Sequence, residues 1–300
     1  MDRLAGLLVP TRGGFAAMPH ALRVDVRRTT RVAAAAAALL ITGLLTGCSG
    51  SGGSTPVADP STSGSTQSSP TTTPSPKPPP VVHSCYRITY SQALAPTSRK
   101  KPVPCTESHT AVTFYVGRFD RKLRVDGPAV HRLESTVCPR RFAAYAGGTL
   151  DERRLSMLRA VWFTPTVEQA TAGAHWFECS AIALRDDQSL ARLSGPIQGV
   201  FDHPDARDHY ALCGTAQPGT AGFQQRICAA AHTWKALRTV AFPPGPYPGA
   251  SKVSSAGQAP CKDAGRAVSS DPLHYEWSYQ WPNLQQWQAG QTYGVCWAPS

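Results

Sequence analysis

The chain has 300 residues, with 30 Lys and Arg against 19 Asp and Glu, giving a formal net charge of +11. Such an excess suits an anionic partner, but the export signature described next places the mature chain where nucleic acid is not normally found, which excludes that class of partner. Nine cysteines suit one modified residue and eight that pair with one another.

Arg31 precedes an apolar run of about fourteen residues that ends in Leu45-Thr46-Gly47-Cys48. The run is short of the ~20 residues that cross a bilayer, so it reads as the core of a secretory signal rather than as an uncleaved membrane helix. Basic flank, apolar core and a cysteine directly after small residues together resemble the bacterial lipoprotein signal, which implies cleavage before Cys48 and a lipid on that cysteine. Met18 to Gly47 has ordinary signal length, so Met18 serves as an alternative start within an expected signal peptide at 1–47. Residues 1–47 hold six Arg and two Asp, and removing them leaves a mature net charge of about +7. The expected location is the outer face of the cytoplasmic membrane, with the bilayer as a partner through the Cys48 anchor.

Residues 48–82 are Ser, Thr, Pro and Gly with almost no apolar side chains, a composition that cannot offset its own ordering entropy and predicts a disordered linker. A flexible coil of that length has a root-mean-square reach of roughly 30–35 Å. Beyond it, Val112 to Val116, Val161 to Phe163 and Trp176 to Leu184 read as strands from their β-branched and aromatic content. Between them, Pro128 opens a helix. Val130, Leu133, Val137, Cys138, Phe142 and Tyr145 share one face of it, and Gly147-Gly148 ends it. Thr149 to Glu152 is a capping box that starts a second short helix. Pro260, just before Cys261, predicts a later and shorter helix starting there.

The folded part repeats itself. Cys105, His109 and Cys138 recur as Cys228, His232 and Cys261, and Pro165, Gln169, Gly173 and Cys179 recur as Pro282, Gln286, Gly290 and Cys296, with Cys85 and Cys213 opening the two units. The expected fold class is therefore α+β: two tandem disulfide-bonded α+β repeats behind a lipoprotein signal and the Ser/Thr/Pro linker. The first repeat is expected at 83–184, an inter-repeat linker at 185–208 and the second repeat at 209–300. Four cysteines per unit in the same order predict a disulfide framework. Sequence alone leaves the connectivity open, but a unit that forms its own bridges should pair them the same way twice. That expectation gives Cys85–Cys105, Cys138–Cys179, Cys213–Cys228 and Cys261–Cys296.

Val103-Pro104-Cys105-x3-His109 followed by a strand, a helical cysteine, and an Ala-Gly pair whose glycine lies six residues before the last cysteine form a recognisable pattern. It resembles the septum formation-related domain of actinobacterial lipoproteins, over residues 83–300. Trp287-Gln-Ala-Gly290 and Cys296-Trp297 fit that family's ending well, and Trp176 with Cys179 less cleanly. Ser108 and Ala231 before the histidines, and Thr110 and Thr233 after them, depart from its usual Pro-His-acid sequence. The resemblance implies the fold, the extracytoplasmic compartment and an association with division genes rather than an activity.

No His-Glu-x-x-His, no Gly-x-Ser-x-Gly in the folded part and no phosphate-cradling glycine loop occurs. Ser98 to Lys101 formally fits Ser-x-x-Lys but lacks its companion motifs and reads as a basic loop. Cys105, His109, Cys228 and His232 offer the donors of a zinc site, yet export favours disulfides at those cysteines, so neither a metal nor another cofactor is expected. Most tryptophans are expected in the core. Trp287 is the best candidate for an exposed binding residue, with His109 and His232 beside the bridges as further binding candidates and no catalytic residue assigned. The function expected is non-catalytic binding or scaffolding of an envelope protein or an anionic wall polymer. A wall hydrolase using Glu107, Glu134, Asp151 or Glu178 is the rival reading, and a sensor or solute-binding lipoprotein the third.

Overall fold

A computed structural model describes residues 75–300 apart from Arg99 and Pro196. The expected signal peptide, Cys48 and most of the linker lie outside the described residues. The chain opens with β1 (Cys85–Tyr86), α1 (Tyr90–Ala93), β2 (Ala111–Arg118), α2 (Pro128–Ala146), α3 (Leu150–Arg154), β3 (Leu158–Phe163), α4 (Val167–Thr171) and β4 (Trp176–Asp186). β5 (Ser189–Leu190), a 3-10 turn at Val200–Asp202 and α5 (Pro204–His209) follow. β6 (Leu212–Gly214), β7 (Gln225–Ile227), β8 (Trp234–Ala241), α6 (Ala250–Ala256), α7 (Gln258–Val268), β9 (Ser278–Gln280), α8 (Leu284–Gln288) and β10 (Tyr293–Pro299) complete it. The fold is mixed helix and antiparallel sheet.

Local chemistry sets these elements. Pro128 occupies the first turn of α2, where its missing N–H is no loss, and Gly147 at φ 76° turns the chain out of the helix. Val130, Glu134, Cys138, Phe142 and Ala146 are the buried residues of α2, a stripe at every fourth position. Thr149 with Glu152, Thr166 with Gln169 and Asn283 with Gln286 form capping boxes that start α3, α4 and α8.

β4 is the centre of the assembly. It pairs antiparallel with β2 on one edge and β3 on the other, and beyond them with β5 and β7. Its first nine residues are all buried, because both faces are covered as well as both edges. Cys179 on one face is bonded to Cys138 of α2, which clamps that helix to the strand. On the opposite face, the Trp176 indole donates to the Lys77 carbonyl at 3.0 Å, so a stretch just before the first strand crosses the sheet here.

The strands run in the order β1-β2-β4-β7-β6-β8-β10-β9, with β3 and β5 also on β4. The two halves meet in one hydrophobic core reaching from Cys85 to Trp297. The Asp186–Arg226 pairing, the N–H of Met157 on Tyr210 O (2.7 Å) and that of Leu212 on Leu155 O (2.8 Å) bind their backbones together. In the second half, α7 brings Cys261 to Cys296 of β10. The Tyr279 ring beside this bridge lies so close to Gly257 and Gly294 that a Cβ on either would fall within 2.5 Å of it. Burial pushes the Tyr279 hydroxyl up to about 12. The remaining bridges are Cys85–Cys105 and Cys213–Cys228.

Within the expected inter-repeat linker at 185–208, Ala191, Leu193, Ile197, Val200 and Phe201 are buried in the common core. Within the expected linker before 82, Lys77 contacts both Trp176 and the Ser98 carbonyl. One expectation is corrected: the helix carrying Cys261 starts at Gln258 rather than at Pro260. Proline fits its third position because the first N–H groups of a helix have no intrahelical partner.

Because the Cys138–Cys179 bridge closes a 41-residue separation at a fully buried site, replacing both cysteines by alanine is expected to lower the unfolding free energy by about 4 kcal/mol. Urea denaturation of the purified protein measures it. A loss below ~1 kcal/mol means that packing alone holds α2 on β4.

Candidate functional site

A cleft of about 630 Å³ opens between the Cys105–His109 loop, the C-terminal part of α2 and the connector at Arg192–Gln198. Its floor is apolar, formed by Val112, Leu193 and Ile197, and Tyr145 of α2 forms one side. Tyr145 is held by stacking on Phe114, with ring centroids 5.4 Å apart, and burial pushes its hydroxyl up. The rim carries His83, Glu107, His109 and Arg192.

Each rim group has an identifiable support. His83 is the non-glycine residue with positive φ, at 69°, among the described residues; its N–H donates to Thr113 O at 2.7 Å. Such left-handed backbone is uncommon outside glycine and is often found where a side chain must be aimed at a site. His109 Nδ1 lies 2.8 Å from the Glu107 carbonyl. A carbonyl only accepts, so Nδ1 carries the proton and neutral His109 keeps Nε2 as an acceptor. Glu107 is paired with Arg87 at 2.6 Å, which cancels its charge at the rim. Arg192 is exposed and makes no ion pair among the described residues.

The second half treats the matching loop differently. His232 Nδ1 sits 2.8 Å from the Ala230 carbonyl, but the N–H groups of Cys228 and Ala229 donate to Ala211 and His209 at the end of α5. That loop is thereby held against the chain before it. His232 also lies with both sulfurs of Cys213–Cys228 in a group whose donor atoms are within 4.8 Å of one another. Those sulfurs are bonded to each other, as Cys105 is to Cys85, so neither loop presents a thiolate for a metal as it stands.

Of the expected binding residues, His109 lines the cleft, His232 does not, and Trp287 is corrected outright. Trp287 is buried, 7% exposed, with its indole N–H on the Gly245 carbonyl at 2.9 Å and rings of Phe242 and Tyr247 against it. Trp281 is the exposed tryptophan, at 41%. Of the four carboxylates weighed for hydrolysis, only Glu107 reaches the cleft: Asp151 accepts from Thr239 at 2.6 Å, and Glu134 and Glu178 are buried. His83, Tyr145 and Arg192 escaped the sequence reading, having no spacing relation to His109.

The largest carboxylate perturbation lies away from the cleft. Burial under the stretch around Lys77 pushes Glu178 up to about 7, against the opposing pull of the Lys77 charge and a bond from Ser180. Burial and the neighbouring Asp186 push Asp187 up to about 6. A carboxyl with a raised folded pKa binds its proton more tightly folded than unfolded, so stability falls as pH rises from the unfolded value toward the folded one. Stability is therefore expected to decline between about pH 4.5 and 7. Glu178→Gln should remove most of this slope above pH 6 and raise stability at pH 8 by about 2 kcal/mol. Thermal melts across pH test it, and an unchanged slope places the titration elsewhere.

Among the described residues, no helix is long and apolar enough to cross a membrane. No curated protein and no solved structure matches the chain significantly. A protein-family model described as septum formation matches residues 118–296, from the last residue of β2 to the bridging cysteine of β10. That stretch takes in α2, β4, the connector wall of the cleft and the second half, and over it the chain belongs to the septum formation family.

Proposed function

We propose that the chain is an exported lipoprotein, anchored through a lipid on Cys48 at the outer face of the cytoplasmic membrane, that binds or scaffolds a cell-envelope component in septum formation without catalysing a reaction. The observation that carries this reading is the septum formation match over residues 118–296. Four disulfides support the oxidising compartment, and the Leu45 to Cys48 sequence supports the anchor.

Within this reading the folded part is a duplication, with repeats at 83–184 and 209–300 joined by 185–208. Strand register supports it: Tyr115 and Trp162 face Cys179 as Arg238 and Tyr279 face Cys296. The Gly173 and Gly290 turns, at φ 105° and 94°, follow the capped helices α4 and α8 alike. The histidine after each second cysteine bonds the carbonyl two residues before it at the same 2.8 Å. A two-part body of this kind suits bridging of envelope components better than turnover of one.

Two measurements test the proposal in cells. Cys48→Ala should abolish metabolic labelling by a lipid precursor and release the protein from the membrane fraction. A fluorescent fusion of the unaltered chain should concentrate at division sites. Lipid labelling that survives the substitution overturns the anchor, and a uniform peripheral distribution overturns the septal role.

A further inference from the structure

The cleft at the Cys105–His109 loop has the size and chemistry of a small-ligand site. Its volume of about 630 Å³ lies within the roughly 300–1,000 Å³ range of such sites and suits one or two sugar rings. Apolar floor and tyrosine side offer a surface for the C–H face of a ring, while His109 Nε2 offers an acceptor for a hydroxyl.

Charge narrows the class. Arg87 cancels Glu107 at 2.6 Å, whereas Arg192 has no such partner among the described residues and His83 and His109 add polar nitrogens on the same rim. A guanidinium engages a carboxylate or phosphate through two parallel N–H bonds, which a neutral sugar cannot return. The matching loop of the second half bonds to the chain at the end of α5, whereas the first-half loop is bonded to its connector by the Leu193 N–H on the His109 carbonyl at 3.0 Å, and Arg192 beside that bond lines the cleft.

Resting on the envelope-binding reading above, we infer that this cleft binds an acidic sugar unit, a ring bearing a carboxylate or a phosphate, with Arg192 holding the anion, Tyr145 packing on the ring and His109 accepting from a hydroxyl. His83 completes the rim, aimed into it by its left-handed backbone.

The test is calorimetric titration of the full-length protein in detergent with N-acetylmuramic acid, glucosamine 6-phosphate and, as the uncharged control, N-acetylglucosamine. At least one of the acidic sugars should bind at least tenfold more tightly than the control, and the tighter of the two identifies the anion. Arg192→Ala should remove that preference, Arg192→Lys should restore part of it, and Arg118→Ala, outside the cleft, should leave it unchanged. Binding should shift the His109 imidazole resonances in labelled protein. Equal binding of all three sugars, none of any, or an unaltered preference in Arg192→Ala overturns the proposal. The Arg192→Ala fusion is followed in cells in parallel. Loss of sugar preference with septal placement intact supports the cleft, whereas a failed titration with intact placement refutes the ligand class and leaves the septal role standing.

Discussion

Among the described residues, the sheet is built around one strand, β4, paired along both edges over most of its length. β4 spends its backbone groups on four partners, two along its first part and two at its end, and is roofed on both faces by α2 and by the stretch around Lys77. Buried amide and carbonyl groups must find partners, and a strand with nine consecutive buried residues can exist only if those neighbours are in place. The Cys138–Cys179 bridge makes the arrangement hard to undo, because it ties the roofing helix to the middle of the strand whose burial depends on it.

This dependence explains how much could be read from the residues in advance. α2 was legible because its start and stop are local, Pro128 and Gly147, and Val130, Cys138 and Phe142 of the expected face are buried; Glu134 was not legible on that stripe, and Leu133, Val137 and Tyr145 are only partly buried. The capping box at Thr149 was legible for the same reason. The connector was not, since Ala191, Leu193, Ile197, Val200 and Phe201 follow no period and sit among charged and turn-forming residues. Trp287 misled because Gln285, Gln286 and Gln288 around it suggest an exposed helix. The groups that bury it, Phe242, Tyr247 and Gly245, come from some forty residues earlier.

The cleft shows the same limit. His109 stood out because it recurs in the second unit, but a site is made by convergence, and Tyr145 and Arg192 reach it from a helix and a connector whose own patterns speak only of packing. The shared cysteine and histidine spacing also concealed the difference that matters. The two histidine loops share an internal bond, yet one is bonded to the chain at the end of α5 and the other to the connector at Leu193, where it lines the cleft. Where two halves are alike in their bridges and differ in what borders a loop, the difference marks the place at which they are free to do different things.

The path of the stretch before β1 has a mechanical consequence. Tension applied from the N-terminal side enters the fold at Lys77, where it loads the Trp176 indole bond and the contact from the Lys77 ammonium to Ser98 O. Between Lys77 and Cys85 the chain is next held by the two backbone bonds of His83 and Ser84 with Thr113, and at Cys85 by the covalent link to Cys105 and the pairing with β2. Because His83, ahead of Cys85, is part of the cleft rim, a pull from this side reaches the cleft as well as the sheet.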